Sequence, residues 1–197
     1  MSSVNLKIKQ GSTFSKLIGY YAGEEVVVSI TSVTRGYPTL ITAVAHGLPA
    51  GTHPAWIAGT KPWLNSASLD EKDMRFVTMV DADTLSIRID SSALAVVPAG
   101  GKLVYLPPVD LSGKSGRMQI RRSAGSSEVL HTITTDDNMT FALGSIALVI
   151  GAADTAAFDF STAVYDVEVI DGALDDTNAT VTRPFGGPVA VSKEITR

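Results

Sequence analysis

The stretch Asp110-Leu111-Ser112-Gly113-Lys114-Ser115-Gly116-Arg117-Met118-Gln119-Ile120-Arg121 decides the fold class. Its first half is a polar turn, and in its second half arginines alternate with the apolar residues Met118 and Ile120. This alternation is typical of a strand with one buried and one solvated face. Similar patterns occur up to about Val28 and again as far as the final run 188–197. The sequence therefore predicts one β-domain that is interrupted between Val28 and Asp110.

Strand patterns dominate both outer parts of the chain. Short strands separated by turn residues at this spacing favour a β-sandwich or a barrel over βαβ units. We expect strands at 4–8, 14–21, 25–30, 117–121, 129–134, 145–150, 163–170, 180–183 and 189–195. The alanine-rich run 151–158 predicts a single helical turn, with Asp154 as a possible cap.

The middle of the chain, from about Thr31 to Leu106, has strand patterns of its own. Strands are expected at 39–44, 56–59, 75–80, 84–89 and 102–105. The acidic tip Asp81-Ala82-Asp83 suits a tight hairpin between two of them. Pro107-Pro108 cannot continue a ladder and marks the return to the outer domain. We expect a discontinuous sandwich domain of residues 1–29 plus 107–197 and an inserted domain of residues 30–106.

Composition excludes several classes of protein. The 197 residues are 45% hydrophobic and 18% charged, as in a globular protein, and the net charge of -4 argues against direct nucleic-acid binding. With no cysteine, the chain has no disulfide, thiolate zinc site or thiol nucleophile. The N-terminus does not have the pattern of a signal peptide, and the longest apolar run, 146–150, is too short to span a membrane. We expect synthesis in a cytoplasm without export by a signal and without membrane insertion.

No motif in the sequence predicts catalysis, a metal or a cofactor. Gly113-Lys114-Ser115 invites a phosphate-loop interpretation, but Pro108 stands where the motif needs its first glycine, and a strand rather than a helix follows. His46, His53 and His131 are too few and too scattered to predict a metal or triad site. The acidic clusters 136–138 and 171–176 do not have the spacing of a calcium loop and favour solvated turns. We expect a protein that is not an enzyme.

Trp56 and Trp63 are the only candidate contact residues. They lie on either side of Gly59-Thr60-Lys61-Pro62 and could form an aromatic platform for a glycan or a partner protein. The alternative is that at least one of them fills the core of the inserted domain. Exposure of both side chains in one groove would favour glycan binding.

The outer parts resemble a β-sandwich domain of tailed-bacteriophage tail and baseplate proteins. Residues 5–14 are similar to its opening, which recurs in the N-terminal part of the upper baseplate proteins that hold receptor-binding proteins. Residues 110–121 are similar to its Asp-Leu-Thr-Gly-Tyr-x-Ala-Arg-Met-Gln-hydrophobic-Arg segment. Further collinear matches lie at 144–148, 155–157, 164–168, 181–183 and 187–197. The resemblance implies an Ig-like sandwich and transfers no active site.

The inserted part resembles the small β-barrel named after the first catalytic-cysteine half-domain of ubiquitin-activating enzymes, which recurs in phage tail proteins. The matching positions are 46–48, 51, 59, 64–65, 80–85 and 100–101. Because the chain has no cysteine, no ubiquitin chemistry follows. In typical sandwich relatives a short turn connects the positions of Tyr21 and Asp110, so the inserted barrel is a departure from the family pattern.

Together the resemblances imply an all-β phage virion protein of the tail or baseplate region. It would connect tail machinery to fibres, spikes or neighbouring subunits, with other tail proteins as partners and as a symmetric homo-oligomer. Two alternatives stay open. One is a capsid decoration or head–tail connector protein, and the other is a glycan- or receptor-binding module.

Overall fold

Alternating apolar and polar residues form β-strands along most of the chain. The structure, a computed structural model, describes residues 2–97 and 100–194. Its strands are β1 (Ser2–Ser3), β2 (Leu6–Lys9), β3 (Phe14–Gly19), β4 (Val26–Ser29), β5 (Ser32–Thr34), β6 (Thr39–Thr42), β7 (Thr52–Ala58), β8 (Arg75–Met79), β9 (Thr84–Ile87), β10 (Lys102–Tyr105), β11 (Ser115–Arg121), β12 (Val129–Thr134), β13 (Met139–Ala142), β14 (Ser145–Ile150), β15 (Thr162–Ile170) and β16 (Val181–Ser192). The helices are the short α1 (Ala152–Ala156) and a 3-10 turn (Glu71–Asp73). The predicted all-β class is confirmed.

The contacts divide the chain into two compact units, one of residues 1–21 and 108–197 and one of residues 22–107. The first boundary therefore lies earlier than the predicted position between residues 29 and 30. The reason is that β4 pairs with β10, with Val28 opposite Leu103, so the strand expected to end the sandwich belongs to the inserted unit. Each unit has its own cluster of buried apolar side chains.

The first unit is a sandwich of two sheets. In one sheet β1, β16, β15, β11 and β12 lie in that order, with β2 also paired to β16; in the other the order is β13, β14, β3. The alternation in the sequence decides which side chains face inward: Met118 and Ile120 of β11 and Ile146, Leu148 and Ile150 of β14 are all fully buried. They belong to one core that both sheets share.

Strand β16 is continuous, whereas the sequence predicted two strands at 180–183 and 189–195, the last residue of which lies outside the described part. In the parallel ladder with the N-terminal segment, the Val4 carbonyl would accept a hydrogen bond from residue 188, but Pro188 has no N–H. The buried Tyr165 hydroxyl donates to Val4 O instead, at 2.8 Å. A Cβ at Gly187 would lie 2.7 Å from that same oxygen. β16 thus stays continuous through Gly187 and Pro188 because the Tyr165 hydroxyl replaces the N–H donor that Pro188 lacks.

The inserted unit is a seven-stranded sheet in the order β4, β10, β7, β8, β9, β6, β5. Only Ile30 and Thr31 separate its two end strands. Ile30 N–H donates to Gly101 O (2.9 Å) at one end of the sheet, and Thr31 N–H donates to Thr42 O (2.9 Å) at the other. One bent strand therefore joins both ends, and the sheet curls into a barrel-like form. The predicted hairpin is present, with β8 antiparallel to β9.

The helical turn predicted at 151–158 is α1. Its N-cap is Gly151, and no side chain makes a cap hydrogen bond, so the predicted capping role of Asp154 is wrong. Asp154 lies inside the helix, too late in the turn to cap it. In the described part of the chain, no helix has the length and apolar character needed to cross a membrane.

The two chain segments that flank the insert pair with each other in the sandwich unit. This pairing predicts the outcome of removing the insert. Tyr21 and Pro108 form an antiparallel bridge, and Val109 N–H donates to Tyr20 O at 3.0 Å. A chain in which an Asn-Gly turn replaces residues 22–107 should fold, because the turn spans paired strand ends and the sandwich core stays intact. Circular dichroism should show β-structure that unfolds cooperatively with temperature. A chain without a cooperative transition would contradict the independence of this core; the isolated segment 22–107 is the matching experiment for the other unit.

Candidate functional site

The two tryptophans do not form an exposed platform. Trp56 is only 4% exposed, and its indole N–H donates to Asp70 O at 2.8 Å. Trp63 is half-buried and packs against the core of the inserted unit. The barrel thus uses Trp56 as a core residue, and a two-ring stacking surface for a glycan is absent at these positions.

His46 and His53 hold the backbone of the turn between β6 and β7. His46 Nδ1 accepts from Leu48 N–H at 3.1 Å, so its Nε2 carries the proton and donates to Asp81 O at 2.9 Å. His53 Nε2 lies 3.0 Å from Pro49 O. Both side chains are buried and bonded to backbone, which gives them a structural role.

The other motifs weighed in the sequence are turns. Gly113 lies in the turn before β11, and the Lys114 ammonium makes an ion pair with Asp171 at 2.9 Å. Asp136 and Asp137 lie in the turn between β12 and β13. Among the described residues, no group of three or more histidines and carboxylates is arranged to hold a metal ion.

The strongest polar constellation lies on the outer face of the larger sheet. Glu168 of β15 is 8% exposed, and its two oxygens accept from two different arginines. Arg117 of β11 donates Nε–H and Nη2–H to Oε2, at 3.0 and 2.6 Å. Arg183 of β16 donates its own pair to Oε1, at 3.0 and 2.6 Å. We call Arg117, Glu168 and Arg183 the arginine–glutamate cluster; Asp166 lies 3.5 Å from Arg183 at its border.

The cluster keeps Glu168 ionised. Burial alone would raise the pKa of this carboxyl, but the hydrogen bonds and charges of Arg117 and Arg183 outweigh burial and hold the pKa below its usual range. A carboxylate in which each oxygen accepts two charge-assisted hydrogen bonds is a poor proton acceptor. The cluster therefore serves to fix three strands, and its geometry offers neither a general base nor a nucleophile.

A shallow groove borders the cluster on the same sheet face. Gln119, Arg121, Val164 and Asp166 line it together with Glu168 and Arg183 of the cluster. Arg121 is held in place by Gln119 Oε1 (2.8 Å) and Ser126 O (2.7 Å). The charged groups that line the groove are already bonded within the chain.

Sequence reasoning placed Arg117 and Arg121 on the solvated side of their strand, and the structure agrees. It did not find Glu168. The available signal was the alternation of Asp166 and Glu168 with valines in 163–170, which places both carboxylates on the face that the arginines share. The sequence pattern does not reveal the irregularity in strand pairing between Val167 and Val169, which sets the alignment of Glu168 with β16.

His131 of β12 is the most unusual histidine. Its ring packs edge-on against Phe158, with ring centroids 5.5 Å apart, and its buried Nε2 has no hydrogen-bond partner. Burial lowers the pKa of His131 below 6.5, while the charges of Asp154 and Asp137 oppose that shift. The neutral ring is therefore the form that the fold stabilises.

Comparison with known proteins gives no assignment: no known family model matches the chain, and no curated protein sequence matches it significantly.

Replacing Glu168 by glutamine should destabilise the fold. Glu168→Gln leaves two guanidinium groups facing a neutral amide, and loss of charge-assisted hydrogen bonds predicts a decrease of about 1–3 kcal/mol in unfolding free energy at pH 7. The matched control Asp159→Asn removes an exposed carboxylate 3.6 Å from Arg122 and should change it by less than about 0.5 kcal/mol. Urea unfolding measures both. As pH falls below 4.5, the unfolded chain binds a proton before folded Glu168 does, so the wild type should lose stability more steeply than the variant.

His131 should make the free energy of unfolding depend on pH in a range above the one in which Glu168 acts. Its pKa is lower in the folded chain, so below about pH 6.5 the unfolded state binds a proton that the folded state does not, and stability should fall. His131→Phe keeps an aromatic ring against Phe158 and should reduce this slope. The His131 imidazole resonances of the wild type should titrate below pH 6.5 by NMR; titration of His131 at or above that value would contradict the lowered pKa.

Proposed function

We propose that this chain is an architectural subunit of a tailed-bacteriophage virion, in the tail or baseplate region. There it would join tail machinery to fibres, spikes or neighbouring subunits. One observation carries the proposal. Three separate segments that resemble the phage sandwich, 110–121, 164–168 and 181–183, each supply one member of the arginine–glutamate cluster. Their meeting gives the resemblance a physical basis, because the residues that carry it hold the central strands together.

The organisation of the chain supports an architectural role. All segments of the first resemblance fall in the unit of residues 1–21 and 108–197, and those of the second fall in the unit of residues 22–107. Three side chains that could carry chemistry are used internally: Glu168 by two arginines, and His46 and His53 by backbone. An insertion that contains its own core can be accommodated at a surface loop of a host domain without loss of the host fold.

Labelling of intact particles tests the proposal. A peptide epitope inserted at the exposed Asp175, in the turn between β15 and β16, can be supplied in place of the natural chain to the phage that encodes it. Gold-labelled antibody should mark the tail or its distal end in electron micrographs, with untagged particles as the control. Label over the head would favour a decoration or connector protein instead. Particles that lack the chain altogether would refute a virion role.

A further inference from the structure

The inserted unit contains a groove at the place where β9 separates from β8. The two strands pair as far as Val77 of β8, which lies opposite Ile87 at the end of β9. The backbone then bends at Arg88. Arg75 and Phe76 of β8 continue beyond this point with β7 as their paired neighbour. The groove lies in the space that β9 leaves beside them.

Three kinds of side chain line this groove. Phe76 contributes an aromatic ring and is 66% exposed. Thr52 and Thr78, paired across β7 and β8, contribute hydroxyl groups whose oxygens lie 2.8 Å apart. Arg75 and Arg88 contribute two guanidinium groups. An apolar ring, hydroxyls and positive charge thus meet in a volume of about 520 Å³, which is in the range of small-molecule sites.

Neither guanidinium makes an ion pair within the part of the chain that the structure describes. Arg75 is half-buried; its Nη2–H donates to Asn65 O at 2.8 Å, but its buried Nε–H has no hydrogen-bond partner. Arg88 is exposed and makes no hydrogen bond with a described residue. A partly buried charge without a counter-charge is unfavourable, and an unsatisfied N–H adds to that cost. These groups therefore favour an anion in the groove.

The carboxylates closest to the two arginines in β8 and after β9 are engaged elsewhere. Asp73 accepts from the Ser68 hydroxyl at 2.5 Å, and Asp90 accepts from Ser92 N–H at 3.0 Å. Both contacts are local, within five residues of the chain. The positive charge of the groove is thus left for a group from outside the described chain.

The groove beside the arginine–glutamate cluster provides a comparison. Its two arginines, Arg121 and Arg183, donate to acceptors of their own unit. Arg75 and Arg88 instead have N–H groups that no described residue accepts. Of these two grooves, the one in the inserted unit is therefore the better site for an anionic ligand.

We propose that this groove binds a saccharide that carries a carboxylate, such as a uronic acid unit of a polysaccharide. A guanidinium group binds a carboxylate through two parallel hydrogen bonds. The C–H face of the sugar ring packs on Phe76, and the hydroxyls of Thr52 and Thr78 bond with those of the sugar. This binding activity goes beyond the proposed architectural role and does not depend on it.

The lining favours a sugar over other anions. A small inorganic anion would use the arginines and leave the exposed ring of Phe76 without a contact. An acidic peptide could add to β8 as a strand, but the length of β8 without a β9 neighbour is only Arg75 and Phe76. Strands usually have about three or more residues, so this length is too short for strand addition.

An NMR titration of the isotope-labelled full chain tests the proposal. D-Glucuronate should shift the amide resonances of Thr52, Phe76, Thr78 and Arg88 until they saturate, and added salt should weaken its binding. D-Glucose lacks the carboxylate and should bind about tenfold more weakly, because the charge-assisted hydrogen bonds are lost. Acetate lacks the ring and should also bind more weakly than glucuronate.

Matched variants connect binding to the groove. Arg88→Gln and Phe76→Ser should each weaken glucuronate binding about tenfold, whereas Phe76→Tyr keeps the ring and should retain it. Arg35→Gln removes the same charge from an exposed arginine of the inserted unit that does not line the groove, and should leave binding unchanged. All four side-chain changes are at exposed positions, so circular dichroism should show the wild-type fold.

The proposal is overturned if glucuronate does not saturate these resonances, if glucose or acetate binds as tightly, or if Arg35→Gln weakens binding as much as Arg88→Gln. Tighter binding of inorganic phosphate or of a tetra-aspartate peptide would also overturn it, and would assign the groove to phosphate or to an acidic protein segment. Each of these results leaves the virion role untouched, because labelling of particles tests that role separately.

Discussion

Three backbone hydrogen bonds at one point hold the discontinuous sandwich together. Tyr20 N–H donates to Gly144 O (2.8 Å), Gly144 N–H to Val109 O (2.9 Å), and Val109 N–H to Tyr20 O (3.0 Å). Tyr20 lies just before the insertion and Val109 just after it, so these three hydrogen bonds close the gap that the insertion leaves in the sandwich. Gly144 is required there, because it has a φ of +67° and a Cβ would lie 2.6 Å from Pro108 Cβ. The strands on both sides of the insertion depend on this closure.

The sequence was sufficient for the class of fold and for most strands, since those depend on local alternation. The bounds of β12, β14 and β10 coincide with the predicted ranges. Failures occurred where a distant partner decides the outcome. The sequence prediction places β4 in the sandwich because its β-branched run does not reveal that β10 is its neighbour. It divides β16 because the donor that replaces Pro188 is the side chain of Tyr165.

The candidate site, like the fold, can be predicted from the sequence only where local alternation decides the outcome. Alternation placed Arg117 and Arg121 on the outer face, but local pattern cannot show which residue of another strand lies opposite them. Trp56 shows the limit for single residues: a tryptophan near glycines and a proline fits an exposed platform as well as a core, and only the position of Asp70 O reveals that its N–H is satisfied inside the fold.

The edges of the sandwich differ in ways that matter for any assembly. Antiparallel sheets in soluble proteins protect their edges with lysine, proline or irregular pairing. β2 carries two exposed lysines, and Pro188 interrupts its ladder with β16, whereas β12 is a neutral run with Glu128 directly before it and Asp136 and Asp137 after it. The two ends of the sheet are therefore protected in different ways.

The arginine–glutamate cluster contributes specificity more than net stability. Desolvating an ion pair offsets much of its attraction, so apolar side chains at the three positions could give a comparably stable sheet. Apolar side chains, however, would tolerate a shift between strands that moves every residue to the other face. β15 already contains an irregularity between Val167 and Val169, where such a shift costs least. Only one alignment of the three strands brings Glu168 between Arg117 and Arg183 with four hydrogen bonds of 2.6–3.0 Å, and any other leaves a buried carboxylate unpaired. The cluster therefore fixes the register of β11, β15 and β16, and through β16 the position of β2.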